Sequence, residues 1–429
     1  MLDDLSPARK ITYAVLGVFS AIVLFAAFGS GGNSVDTSAP KATRSTTTTV
    51  TATTIPVPKA FDRTVLSVKL PNATSRSTAV PDGKGGFYVL GGLDVRRAPT
   101  STIVRVDPTT NSATVVGSLT QPVQNASAVA LGERILLYGG GERAALRDIQ
   151  EYTGTDKAQV AGQLAVGRFG HVAIVAGGRI VIVGGSDGNT DQTEVLASAD
   201  GVTFNAIANL PVGLRFPAVA ALNNKVYVFG GEVNNNPVNT VYAIDLATGA
   251  VTEPAKLERP LSHAAAFVVN GGIFFAGGKT DKGLTDYIWR FDPAATPPTF
   301  LFAGTLPRPV SDAAVVTVGG KVYLAGGEVP AFVQDVVQLT PLNDDSGLLA
   351  QLSGSTIAGG SPLPQATVPP RAVATQPTTT TRPTTTTVTT TRPPVTTQAP
   401  VPTTVPAPPT TQATPIATTG SPATTRPPT

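Results

Sequence analysis

Six stretches decide the architecture: GFYVLGG (86–92), RILLYGG (134–140), RIVIVGG (179–185), KVYVFGG (225–231), GIFFAGG (272–278) and KVYLAGG (321–327). In each, an apolar run ends on Gly-Gly, and successive pairs lie 48, 45, 46, 47 and 49 residues apart. A period of that size marks a repeat architecture in which one supersecondary unit recurs. The runs are apolar on consecutive positions, as a strand buried on both faces must be. The strand before each is rich in Ala (SAVALG, PAVAAL, HAAAFV, DAAVVT), which suits strands crowded around a central axis. Short turns such as Leu222-Asn223-Asn224-Lys225 join the two. Third strands follow after a loop (STIVRVD, DIQEYTG, TVYAIDL, DYIWRFD), and turns such as DPTTN, ADGV, LATG and DPAATPP lead to a fourth.

An apolar strand closing on Gly-Gly every 47 residues or so resembles the kelch repeat, one four-stranded propeller blade per unit. The resemblance covers residues 62–342. It rests on the glycines Gly91 and Gly92, Gly139 and Gly140, Gly184 and Gly185, Gly230 and Gly231, Gly277 and Gly278, and Gly326 and Gly327. It departs from the family where the fourth-strand Trp is replaced, for instance by Phe204 and Phe300. The expectation is an all-β, six-bladed kelch-type propeller over 60–345. The last repeat lacks a fourth strand of its own, and Thr64–Leu70 has the form of one, so the N-terminal strand is expected to complete the sixth blade.

Outside the repeats the composition changes. Residues 11–28 are uncharged and mostly apolar, about 27 Å as a helix, and Arg9 and Lys10 precede them. The positive-inside rule puts residues 1–10 in the cytoplasm and the propeller outside the cell membrane, on a single-pass anchor. The alternative is a cleaved signal peptide and a secreted protein. Residues 29–59 read as a Thr/Ser/Pro-rich linker and 346–429 as a disordered Thr/Pro-rich tail, similar to stalks of exported bacterial envelope proteins. Leu363-Pro364-Gln365-Ala366-Thr367 superficially resembles a sortase signal but no apolar segment follows it, so it reads as linker.

The 429 residues contain no Cys and two His, which excludes disulfide scaffolds, Cys nucleophiles and most metal sites; no metal and no cofactor are expected. The last 78 residues carry four Arg and no acid, leaving 27 positive against 28 negative charges elsewhere. That balance gives no case for nucleic acid.

Chemistry concentrates in the loops entering each repeat. Five of six carry an arginine: Arg76, Arg168, Arg215, Arg259 and Arg308. With Glu232 and Glu328, each directly after Gly-Gly, they form the expected binding face. Against Glu258 and Asp312 they give a local excess of positive charge, which suits an anionic envelope glycan or an acidic protein loop. The bland alternative is that the guanidinium groups tie loop carbonyls and pair with the two glutamates. Companion loops add Arg96, Arg97 and Arg143. His171 and His263 read as equivalent first-strand residues with a structural polar role. Ser198 to Phe204 resembles a shortened sialidase Asp-box, which is a turn device in any case, and Asn72 and Asn125 begin chance glycosylation sequons. The functional expectation is a non-catalytic surface module binding protein or envelope polysaccharide. The alternative is a carbohydrate-active enzyme resembling the six-bladed sialic-acid mutarotases or sialidases, with converging arginines and a free carboxylate. No catalytic residue is named.

Overall fold

The computed structural model describes residues 55–348 and Gln351, apart from Arg143. The expected segments 1–10 and 11–28, the linker 29–59 up to residue 54, and the tail 346–429 beyond its first few residues lie outside the described residues. Six antiparallel sheets follow one another along the chain, five of four strands and the sixth of four with a short fifth, and two small sheets of two and three strands lie in connecting loops. Sheet one spans 78–123, sheet two 127–163, sheet three 169–209, sheet four 218–256 and sheet five 265–305. Sheet six combines 314–342 with the N-terminal strand. Their first strands neighbour one another in cyclic order, that of sheet six meeting that of sheet one.

The apolar runs explain this packing. In sheet three, Ile180 and Ile182 point into the seam with sheet two, while Val181 and Val183 point into the seam with sheet four. A strand pinned between two seams has no solvent face, so every position is apolar. There are six such buried clusters, one per seam, rather than one common core.

The N-terminal strand runs from Ala60 to Thr74, longer than the expected Thr64–Leu70, and pairs with Ala331–Leu342. It is the outermost strand of sheet six, as its sequence suggested. Phe61 is buried in the seam between sheets five and six, against Phe267 and Phe274. Val68 and Leu70 are buried in the seam between sheets six and one. The strand therefore holds two seams, and each buried side chain of this size contributes about 1.5–3 kcal/mol.

Candidate functional site

The Gly-Gly pairs do more than end strands. The second glycine of each donates its N–H to a carbonyl on the chain where it passes into the next repeat: Gly92 to Val123, Gly140 to Arg168, Gly185 to Leu214, Gly231 to Leu261, Gly278 to Val310 and Gly327 to Thr74. The first glycine must let that carbonyl approach. At Gly230, with φ +58°, a Cβ would stand 2.0 Å from Leu261 O. Only glycine fits both demands.

Just after these stitches, one residue of each repeat adopts left-handed backbone: Arg76, Asn125, Gly170, Phe216, His263 and Asp312, with φ from 54° to 64°. Each donates its N–H to the carbonyl of the preceding member, and Arg76 donates to Asp312, so six hydrogen bonds of 2.6–3.1 Å close into a collar. For the non-glycine members this conformation costs roughly 1–2 kcal/mol each. The closed circuit of hydrogen bonds holds them there.

One side of the collar is charged. His263 Nδ1 lies 2.6 Å from Asp312 Oδ1, and its Nε2 lies 3.2 Å from Glu232 Oε1. Phe216 stacks on the imidazole, ring centroids 4.1 Å apart. Burial alone would lower the His263 pKa, but the two carboxylates outweigh it and raise it to about 9. Burial likewise opposes ionisation of Asp312 and Glu232, and the imidazolium holds both below their ordinary values. Glu232 also accepts from Ser262 Oγ, and Glu328 does the equivalent two seams on, accepting from Ser75 Oγ and Arg76 Nε. With both ring nitrogens facing acceptors, His263 has no lone pair to take a proton and is unfit as a general base.

The five arginines do not converge. Arg76 pairs with Glu328 at 3.2 Å and Glu142 at 3.6 Å, and Arg215 with Glu232 at 3.6 Å. Arg259 pairs with Asp281 at 3.2 Å, and Arg308 with Asp335. Arg168 is only 1% exposed; its Nη1 donates to the carbonyls of Gly184 and Glu194, and its Nη2 lies 3.5 Å from Glu194 Oε2. The expected excess of positive charge is therefore corrected. Glu232 and Glu328 pair with arginines as the alternative reading had it, whereas counting acids within the entry loops alone missed the partners Glu142, Glu194, Asp281 and Asp335 that other loops and strands bring in.

The two histidines are not equivalent, a second correction. His263 is a collar member, whereas His171 sits one residue past Gly170 on the strand Phe169–Ala176. His171 is buried with neither ring nitrogen hydrogen-bonded to protein. Burial, with Arg168 nearby, pushes its pKa down to about 3, so it is neutral. The Asp-box-like segment is a turn: Asp200 accepts from the N–H groups of Val202 and Thr203 and from Ser198 Oγ, which depresses its pKa. Asn125 is buried in the collar, where a glycan has no room, while Asn72 is exposed.

The sequence reading missed the collar as a unit. A signal was present: its members stand fourteen residues before the first glycine of each pair, fifteen in the first repeat. Among the described residues, no group of three or more His, Cys, Asp or Glu has the arrangement to hold a metal ion.

Comparison with known proteins agrees with this geometry. The kelch motif matches residues 214–257, which span sheet four. An F-box/kelch-repeat protein of Arabidopsis thaliana is 37% identical over 90 residues, 21% of this chain and 22% of that protein. Kelch-like protein 25 of Homo sapiens is 26% identical over 207 residues, 44% of this chain and 34% of its own. Kelch-like protein 38 of Homo sapiens is 23% identical over 216 residues, 48% and 36% respectively. The chain thus spans about a fifth to a third of the length of these curated relatives. Among solved structures, that of YjhT superposes with a TM-score of 0.55 at 16% identity, covering 63% of this chain and 96% of that one. The motif, the kelch-repeat relatives and the shared fold support a kelch β-propeller.

Proposed function

We propose that the chain is a six-bladed kelch propeller anchored at the cell surface, acting as a non-catalytic module that holds a protein partner on the loop face around the collar. The observation that carries this reading is the state of the collar's ionisable groups: His263 is held between Asp312 and Glu232, and the five expected arginines all have carboxylate partners. An enzyme resembling the sialic-acid mutarotases or sialidases needs converging arginines beside a free carboxylate, and here the pairs neutralise one another. The same balance favours a protein, which can match alternating charges, over an anionic envelope glycan at this face. Kelch-repeat proteins are commonly protein-binding modules, in line with this choice.

A rigid collar suits recognition, because a surface already fixed by inter-sheet hydrogen bonds loses little freedom on binding. The anchor is assigned to residues 11–28 with the N-terminus in the cytoplasm, and the Thr/Pro-rich segments set the reach of the propeller. Protease added to intact cells is expected to release the propeller and leave residues 1–28 with the membrane; a soluble protein beginning near Ser30 supports the signal-peptide alternative instead. For the face, a photo-crosslinking side chain at Asn236, on the loop side, is expected to capture a protein in cells. The same group at Asn224, in a hairpin turn, is not. Equal capture at both positions, or capture indifferent to Arg259→Glu, counts against the loop face.

A further inference from the structure

The seam between sheets six and one differs from a simple packed interface. Along the N-terminal strand, residues 65 to 69 pass only two residues of the partner strand, and 69 to 74 again only two. The strand therefore bulges outward, and near its end the side chain of Gln334 replaces the ladder by donating to Pro71 O at 3.3 Å. Sheet one bulges at the same end, where Thr100 to Thr102 oppose Val123 to Ser118. Between them opens a groove of about 600 Å³. That volume suits a small oligosaccharide.

The groove's lining is mixed. Val104 and Val115 supply apolar wall, Thr100 and Thr102 pair their hydroxyls at 3.3 Å, and Asn72 and Arg96 stand at its side. Arg96 is unlike the arginines described above: its guanidinium has no ion-pair or hydrogen-bond partner among the described residues. Asp94, two residues back, spends Oδ1 on the N–H groups of Arg96 and Ala98. The neighbouring Arg97 is occupied over the Phe332 ring at 5.1 Å. An uncommitted guanidinium beside hydroxyl and amide groups is fit to bind a carboxylate flanked by hydroxyls.

We propose that this groove binds an acidic saccharide, with Arg96 taking the carboxylate and Asn72, Thr100 and Thr102 the ring hydroxyls. The site is separate from the collar and stands whether or not the loop face binds protein. The test is calorimetric titration of the full-length chain in detergent with trigalacturonate and, in parallel, neutral galactotriose. Wild type is expected to bind the acidic trisaccharide and prefer it over the neutral one. Arg96→Gln should weaken it roughly tenfold, the scale of one charge-assisted contact. Val115→Trp, at an exposed wall position that tolerates a larger side chain, should obstruct it with an unchanged melting temperature, and Arg259→Gln should leave it intact. No binding of trigalacturonate at millimolar concentration overturns the proposal. So does equal binding of the two sugars, equal affinity in Arg96→Gln, or equal loss in Arg259→Gln. Crosslinking at Asn236 should not respond to Arg96→Gln, so failure here is distinguishable from failure of the loop-face reading.

Discussion

The collar has two unlike sides. Towards sheets two and three it consists of Asn125 and Gly170, with His171 next in line, buried and neutral. Towards sheets five and six it consists of His263 and Asp312, with the imidazole charged between two carboxylates. The backbone is the same on both sides, left-handed and hydrogen-bonded around the circuit. The difference comes from the neighbours: Glu232 from the sheet before and Asp312 from the sheet after make His263 a cation, while His171 has Arg168 nearby. A repeat sets where backbone goes; the adjoining sheets set what each side chain becomes.

The harshest way to break the comparison is to remove the frame both sides share. Deleting residues 60–70 takes Phe61, Val68 and Leu70 out of two seams and exposes the edge of Ala331–Leu342. Loss of the cooperative thermal transition and aggregation on size-exclusion are expected. A deletion that melts like the intact chain would show that the ring does not need this strand. Gly230→Ala is the next largest change. Its Cβ would press on Leu261 O in the stitch between sheets four and five, and the cost should be about 3 kcal/mol in denaturant unfolding.

These two changes probe features that were legible in the sequence. Gly-Gly recurs at a fixed period and the seams need unbroken apolar runs, so both leave local patterns. The collar's chemistry left only a faint one. Its members are Arg, Asn, Gly, Phe, His and Asp, because the position demands a backbone conformation rather than a residue type. Partners such as Arg308 and Asp335, or Arg168 and Glu194, are brought together by folding across loops. Glu328 and Ser75 lie 253 residues apart. No spacing rule reaches that far.

Asp312→Asn separates the two sides directly. It leaves the collar hydrogen bonds in place but strips His263 of its closer carboxylate, at a cost of about 2 kcal/mol. No comparable loss is expected on the neutral side from Asn125→Gly, which keeps the left-handed backbone and gives up the side-chain bond to Gly141 O. Equal losses would mean that the charged network adds nothing to the backbone circuit.

The histidines should also give pH slopes of opposite sign. His263 binds its proton more tightly folded, about 9 against an ordinary 6.5, so its contribution is complete below 6.5 and is lost as pH rises towards 9. His171 is held near 3, so the unfolded chain takes up its proton first and stability falls as pH drops from 6.5 towards 3. The melting temperature of His263→Gln should lack the alkaline slope, and that of His171→Gln should lack part of the acid one. Asp312 and Glu232, held below their ordinary values chiefly by the imidazolium, add to the acid-side loss in His171→Gln, whereas His263→Gln removes that hold and much of their contribution with it.

The smallest effect is expected at the rim. Arg259 and Asp281 meet at 3.2 Å, the carboxylate exposed and the arginine side chain partly so. An exposed pair of this kind gains little, because solvent screens the attraction and two long side chains must be held still; double-mutant cycles on such pairs return about 0.2–1 kcal/mol. Arg259→Gln should therefore shift the melting temperature by no more than a degree or two, and the shift should shrink further in high salt. Arg215 offers the sharper counterpart, since its partner Glu232 is buried and also holds His263. Arg215→Gln should cost more than Arg259→Gln, and its effect should depend on an intact His263. A double-mutant cycle between Arg215 and His263 measures that dependence, and strict additivity would mean that the rim and the collar are energetically separate.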